Sequence, residues 1–320
     1  MKNILQNKKE LKNLIFDKYQ IRKSKKQKNA FEKLIKEYSA ELGYKCESEK
    51  GLFGAKNIVV GDVENAKIIY TAHYDTCAVI PFPNFITPKN ISIYILYNIF
   101  LAAAFFIIYF ITSFASALIW NIITRIFSVE YLSAYLIFPL LIPYFLTLLL
   151  IFGPANKNTA NDNTSGVMTL IELMRNMPEQ ERNKAAFVFF DLEEAGLLGS
   201  SGFAKKHKKI AKNTLLINFD CVSDGNNFII TLPKNAVSKA TLFENAYSSE
   251  KYNVEVLTKG YFYPSDQANF KQGVGVAALK KIKRTNILYM DRIHTKKDTV
   301  YQEENIDFLV ESSVKFTQML

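Results

Sequence analysis

Residues 185–194 read AAFVFFDLEE. Six apolar residues in a row, three of them aromatic, predict a strand buried on both faces. An acidic pair, Glu193 and Glu194, follows at its carboxyl end. The arrangement recurs twice. Residues 67–75 read KIIYTAHYD, and residues 214–220 read TLLINFD. Each apolar run delivers a histidine or an aspartate where it stops. Open α/β sheets place their sites at the carboxyl ends of strands, so these three runs predict one sheet with one site. Further strands are expected at 44–60 (a hairpin broken near Glu49-Lys50-Gly51), 227–232, 253–257, 274–279 and 286–290. Helices are expected at 28–42, 164–176, 199–208, 237–249, 265–271 and 303–319. Alternation of strands and helices indicates an α/β sandwich around a largely parallel sheet.

Two more polar islands complete a set of five: Asn161-Asp162-Asn163, and His294 between Ile293 and Thr295. The chain has only three histidines, and two of them, His73 and His294, lie in these islands. Imidazole nitrogen and carboxylate oxygen without thiolate suit a catalytic zinc site. Each island has a plainer reading alone. His73 is compatible with a satisfied core histidine. Glu193 and Glu194 fit the first turn of a helix, where acidic groups are favoured. Asp162 fits a helix cap before residues 164–167. His207, within Lys205-Lys206-His207-Lys208-Lys209, reads as part of a solvated face.

The stretches TAHYDT (71–76), NTANDNTSG (158–166), FFDLEEAGLLGSSGF (189–203), NFDCVSDG (218–225) and HTKKDT (294–299) resemble, in order, the motifs of the co-catalytic two-zinc aminopeptidases. Glutamate carboxypeptidases, glutaminyl cyclases and the peptidase-like domain of transferrin receptors share that family. The resemblance covers residues 55–80 and 155–320. It implies a three-layer α/β/α sandwich and two Zn²⁺ per chain. It implies that His73 and Asp220 bind one zinc, that Glu194 and His294 bind the other, and that Asp162 bridges them. It makes Glu193 the general base that activates a water and Asp75 the partner that orients His73. The implied substrate is a peptide, and aminopeptidase activity comes foremost. Carboxypeptidase or cyclase activity, or a non-catalytic receptor-like domain, are the alternatives. The chain departs from relatives at Gln267, where many have histidine in a Ser-Asp-His stretch. It departs again at Ile293, where some have a tyrosine that assists the oxyanion. Tyr263 and Tyr289 are candidates for that role.

A third departure is larger. Soluble relatives join the His-x-Asp motif to the bridging aspartate by a short loop, but here Asp75 and Asp162 are 87 positions apart. No charged residue lies between Lys89 and Arg125, nor between Glu130 and Lys157. About 20 apolar residues span a bilayer core, so two transmembrane helices are expected, near 91–114 and 132–152, with Pro139 and Pro143 inside the second. The zinc domain is then discontinuous (1–85 and 155–320), with the hairpin inserted at 88–153. Core helices or an apolar dimerisation hairpin are the alternatives.

The net charge is +10, and the first fifty residues hold fourteen Lys/Arg against seven Asp/Glu. No zinc finger, helix-turn-helix or RNA-binding motif accompanies that charge, so no nucleic-acid partner is expected. An anionic membrane surface is the simpler partner. The sequence leaves the oligomeric state open. Cys46, Cys77 and Cys221 are few, odd in number and widely spaced, which argues against a disulfide framework. The N-terminus has no apolar run and cleavage site of the secretory kind. Basic flanks at the N-terminus, Lys89 and Lys157 place both ends of the hairpin, and the catalytic domain, in the cytoplasm.

Overall fold

The computed structural model describes residues 7–127 and 132–320. In chain order the helices and strands are α1 (Lys8–Lys18), α2 (Lys25–Glu41), β1 (Cys46–Lys50), β2 (Lys56–Val60), β3 (Ile68–His73), α3 (Ile91–Phe127) and α4 (Leu132–Phe152). The chain continues with α5 (Gly166–Asn176), β4 (Ala185–Phe190), α6 (Leu198–Lys206), α7 (Lys208–Asn213), β5 (Leu215–Phe219), β6 (Asn227–Thr231) and α8 (Ala240–Ala246). It ends with β7 (Asn253–Leu257), β8 (Gly273–Lys281), β9 (Leu288–Tyr289) and α9 (Glu303–Gln318).

The strands form one sheet in the order β1-β2-β4-β3-β5-β8-β6-β7, with β9 on β8. The central run β4-β3-β5-β8 is parallel, and the β1-β2, β2-β4, β6-β8 and β8-β9 pairs are antiparallel. Alternating side chains point to opposite faces of a strand, and both faces here are apolar. Ile68, Tyr70 and Ala72 of β3, with Ala185, Phe187 and Phe189 of β4, join one core cluster with α1, α2, α5 and α9. Ile69, Ala186, Val188 and Phe190 join the other, with Phe203 of α6 and Ile210 of α7. The result is the three-layer α/β/α sandwich around a mixed, largely parallel sheet.

Several elements differ from their expected form. The helix α1 was not anticipated, although Leu11, Leu14 and Ile15 stand at helical three-four spacing within it. Only Leu11 and Ile15 of it are buried. Residues 265–271 form only a short 3-10 turn, Asp266–Asn269. The 286–290 strand shrinks to Leu288–Tyr289. His207 is not part of a solvated face. Its ring lies against Phe203 at 4.4 Å, and its nitrogens bridge Glu64 at 2.6 Å and Glu49 at 2.8 Å. Glu49 of β1 and Glu64 of the loop between β2 and β3 meet it only in the folded chain, which a local charge run does not reveal.

The inserted segment is helical. The α3 helix has 37 residues and runs on past 114 to Phe127, because neither glycine nor proline interrupts 91–127. Among the described residues it is the helix long and apolar enough to cross a membrane, and none of its most apolar stretch is buried. Of the two expected spans, it alone meets that test. Its companion α4 is an apolar helix of 21 residues that contains Pro139 and Pro143. The expected loop at 115–131 is therefore helix up to Phe127, and positions 128–131 lie outside the described residues.

Candidate metal centre

The chain reverses direction across the sheet at β3, whose neighbours are β4 on one side and β5 on the other. A crevice opens at such a switch point. Here it receives His73, the last residue of β3, the acidic turn after β4 and Asp220 after β5. Asp162 enters from the turn that leads into α5, and His294 from the loop after β9.

All five islands meet in one cleft, and Asp162 stands between two groups. Its Oδ1 lies 3.2 Å from Nε2 of His73, which is also 3.5 Å from Oδ1 of Asp220. Its Oδ2 lies 2.9 Å from Nε2 of His294, which is also 3.1 Å from Oε2 of Glu194. Glu193 lines the same cleft, and its carboxylate approaches His73 and Glu194 within 4.8 Å. The Asp75 carboxylate accepts the backbone N–H groups of Glu193 at 3.0 Å and Glu194 at 3.3 Å. Nδ1 of His73 lies 3.6 Å from that carboxylate and 3.3 Å from the Asp75 backbone oxygen. Asp75 thus holds the acidic turn in register with β3.

The electrostatics are those of a cation site. Burial lowers the basicity of His73 and His294, but the surrounding carboxylates outweigh it and raise both well above the ordinary imidazole range. Burial pushes Glu193 well above the usual carboxylate range. His73 opposes this, and Glu194 and Asp220 reinforce it. Oε1 of Glu194 is buried without a hydrogen-bond partner. A surplus of carboxylates around two imidazoles, with one buried carboxylate oxygen left without a partner, fits divalent zinc. Left-handed backbone surrounds the site at Leu192 (φ 54°), Cys221 (φ 56°) and His294 (φ 61°). Such conformations cost about 1–3 kcal/mol each and persist where packing dictates them.

Other buried groups hold the cleft in shape. Asp298 accepts the N–H groups of Asn161 at 2.8 Å and Asp162 at 3.0 Å. Asn161 accepts those of Ser223 and Asp224 at 2.7 and 3.0 Å. Arg22, fully buried, donates to the carbonyl of Tyr74 between His73 and Asp75, and to Thr164 Oγ1 at 3.2 Å. Asp298 stood within the quoted HTKKDT stretch, but nothing local marked its function. Arg22 lay in the lysine-rich N-terminal segment, and nothing local set it apart from the other basic residues. Gly166 is required by close approach, since a Cβ there would sit 2.3 Å from the Phe219 oxygen. Gln267 is consumed by Asn218 and the Tyr263 carbonyl, at 2.9 and 2.7 Å. The Tyr263 hydroxyl donates to the Asp220 carbonyl at 3.0 Å. Tyr289 is absent from the cleft lining. Cys77 and Cys221 are buried beside the site as free thiols, both held protonated by burial.

The model of peptidase family M28 matches residues 149–309, half of the chain and four of the five islands. The chain belongs to peptidase family M28. Family membership makes it a zinc metallopeptidase. Solved structures share the fold. A glutaminyl cyclase of Porphyromonas gingivalis superimposes with TM-score 0.57 at 14% identity, over 99% of this chain and 96% of that one. A Zn-dependent exopeptidase of Parabacteroides distasonis gives 0.55 at 14%, over 98% and 95%. The LapA aminopeptidase of Legionella pneumophila gives 0.54 at 13%, over 99% and 72%. No curated protein matches the sequence.

Proposed function

We propose that this M28 enzyme is a two-zinc aminopeptidase held at a membrane by its inserted hairpin. The observation that carries the metal reading is the Asp162 carboxylate, whose two oxygens face separate His/carboxylate groups. His73 and Asp220 would hold one zinc, Glu194 and His294 the other, and Asp162 both. When bound, the pair supplies Lewis acidity toward a scissile carbonyl and lowers the pKa of water toward about 7. Glu193 is placed to accept the proton of an attacking water and to return it to the departing amine. Its carboxylate lies within 4.8 Å of His73 and Glu194, and general-base catalysis from a positioned carboxylate typically contributes about 10²–10⁴-fold. Asp75, through two backbone N–H groups, fixes the height of Glu193 and Glu194 above β3.

The exposed apolar surface of α3, with α4 returning alongside it, supports a two-span anchor. Antiparallel arms return the chain to the side from which it left, and Lys89 and Lys157 flank them, which supports a cytoplasmic catalytic domain.

Metal analysis of the purified protein, with free and N-acetylated peptides as substrates, tests the reading. About two zinc per chain are expected, with cleavage only of free N-termini. Glu193→Gln should keep the metal and lose at least ~10²-fold in kcat. Full activity in that variant refutes the mechanism. Cyclisation of N-terminal glutamine without peptide cleavage transfers the site to glutaminyl cyclase chemistry.

A further inference from the structure

The cleft is about 140 Å³ and has two unlike sides. Its floor is the carboxylate and imidazole cluster. The uncharged residues Asn84, Ile86, Pro264, Met290 and Ile293 make up another part of its lining, its wall. Asn84 and Ile86 come from the segment that leads from β3 into the hairpin, not from the five polar islands of the sequence.

That segment is tied to the site from both ends. Ile80 N–H donates to the His294 carbonyl at 2.9 Å, and Val79 N–H to that of Pro154 at 2.9 Å. Ile86 and Met290 exchange backbone hydrogen bonds at 2.9 and 3.0 Å. The segment also rests on the foot of α3. Phe85 packs on Tyr97 at 5.5 Å and Phe82 on Phe105 at 5.3 Å. The Tyr97 hydroxyl donates to the Pro83 carbonyl, and Tyr94 packs on Phe262 beside Tyr263. The length of α3 agrees with this. At about 1.5 Å per residue its 37 residues reach about 55 Å, against a bilayer core of about 30 Å. The surplus is about the length of residues 91–106, where these contacts occur.

We propose that Asn84 and Ile86 are specificity-determining residues that select peptides with a small apolar first side chain, and that the foot of α3 positions them. This inference rests on the aminopeptidase reading. A peptide end that reaches the floor places its first side chain against the wall. Among the described lining residues no Lys or Arg is present to receive an acidic side chain. Every acid lies on the floor, so a lysine finds no partner on the wall. Size sets the other limit. An apolar cavity of about 150 Å³ holds one benzene ring, and this cleft must admit the metals as well. Side chains from alanine to leucine are therefore expected to be favoured over tryptophan.

The test uses the full chain in lipid nanodiscs and peptides that differ only in the first residue. Wild type should favour Ala and Leu over Trp, Lys and Glu by at least tenfold in kcat/KM. Ile86→Ala should raise the Phe-to-Ala ratio about tenfold, and Ile86→Phe should lower the Leu-to-Ala ratio about tenfold. Tyr97→Ala, which removes the ring packed on Phe85 and the hydroxyl bonded to the Pro83 carbonyl without replacing a lining residue, should narrow the wild-type ratios. Ratios within twofold of wild type in all three variants overturn the assignment. Peptide binding to a Glu193→Gln background gives a readout without turnover. Leu- and Ala-starting peptides should bind at least tenfold tighter than Glu- or Lys-starting ones, and adding Ile86→Phe should weaken the Leu-starting peptide about tenfold relative to the Ala-starting one. Equal binding of all peptides, or no effect of Ile86→Phe, overturns the assignment. Selective binding to Glu193→Gln without release of any first residue by the wild-type protein upholds the wall and refutes the aminopeptidase reading.

Discussion

Arg22→Ala should be among the most destabilising single changes outside the metal ligands. The guanidinium is fully buried, and burial lowers its pKa to about 10 against the opposing pull of Asp75, Tyr74 and Asp162. It donates to the carbonyls of Tyr74, Tyr19 and Gln20 and to the Thr164 hydroxyl, and it lies 5.3 Å from the Phe31 ring. Hydrogen bonds to a charged group contribute roughly 1.5–3 kcal/mol each, and a buried acceptor left unpaired costs about 1–3 kcal/mol. These contributions overlap. Loss of one partner from a buried charged cluster typically costs about 3–5 kcal/mol in all. For a catalytic domain of this size, each kcal/mol moves Tm by about 2–4 °C, so the expected fall is about 6–20 °C. The assay is thermal unfolding of the metal-free protein in detergent, read by tryptophan-independent far-UV dichroism. Arg22→Lys keeps the charge but loses the fork, and should fall between wild type and alanine. An alanine variant within 1–2 °C of wild type would refute the argument that Arg22 ties the N-terminal segment to the Tyr74 backbone.

Three further outcomes are expected. Asp298→Ala leaves the N–H groups of Asn161 and Asp162 without their acceptor. It should weaken zinc retention about 10–100-fold in chelator competition, as loss of a ligand's supporting partner does, and unchanged retention counts against it. Burial alone pushes Glu32 up, but hydrogen bonds from Lys36, Lys56 and Ser48 outweigh it and hold the carboxyl at about 2. The resulting stabilisation is complete above the ordinary glutamate pKa near about 4.3 and is lost as pH falls toward about 2. Glu32→Gln should therefore flatten the fall of Tm with pH in that window, and parallel curves would contradict it. In a chain with Cys46, Cys77 and Cys221 replaced, a cysteine at 128 should react with an impermeant thiol reagent in intact cells, and one at 240 only after lysis. The reverse pattern overturns the proposed topology.

The sequence by itself determined where the site would be sought. The apolar runs within Ile68–His73, Ala185–Phe190 and Leu215–Phe219 are strands because both their faces are buried, and burial on both faces leaves a largely apolar signature. The polar residue that ends each run is conspicuous for the same reason. The inserted helices were legible because two long runs carry no charge, a property of composition alone. The end of α3 was not legible, since an apolar run without glycine or proline carries no mark of where its helix stops. Only the tertiary structure decided which oxygen of Asp162 faces which histidine, and that Asp75 spends its carboxylate on the backbone of Glu193 and Glu194. Only it could join Arg22 to Tyr74 and Asp298 to Asp162, or turn His207 from a surface charge into a bridge between Glu49 and Glu64. A buried polar group needs a partner, and that need is general. Which partner meets it depends on how elements far apart in the chain pack together, and local residue patterns do not record that.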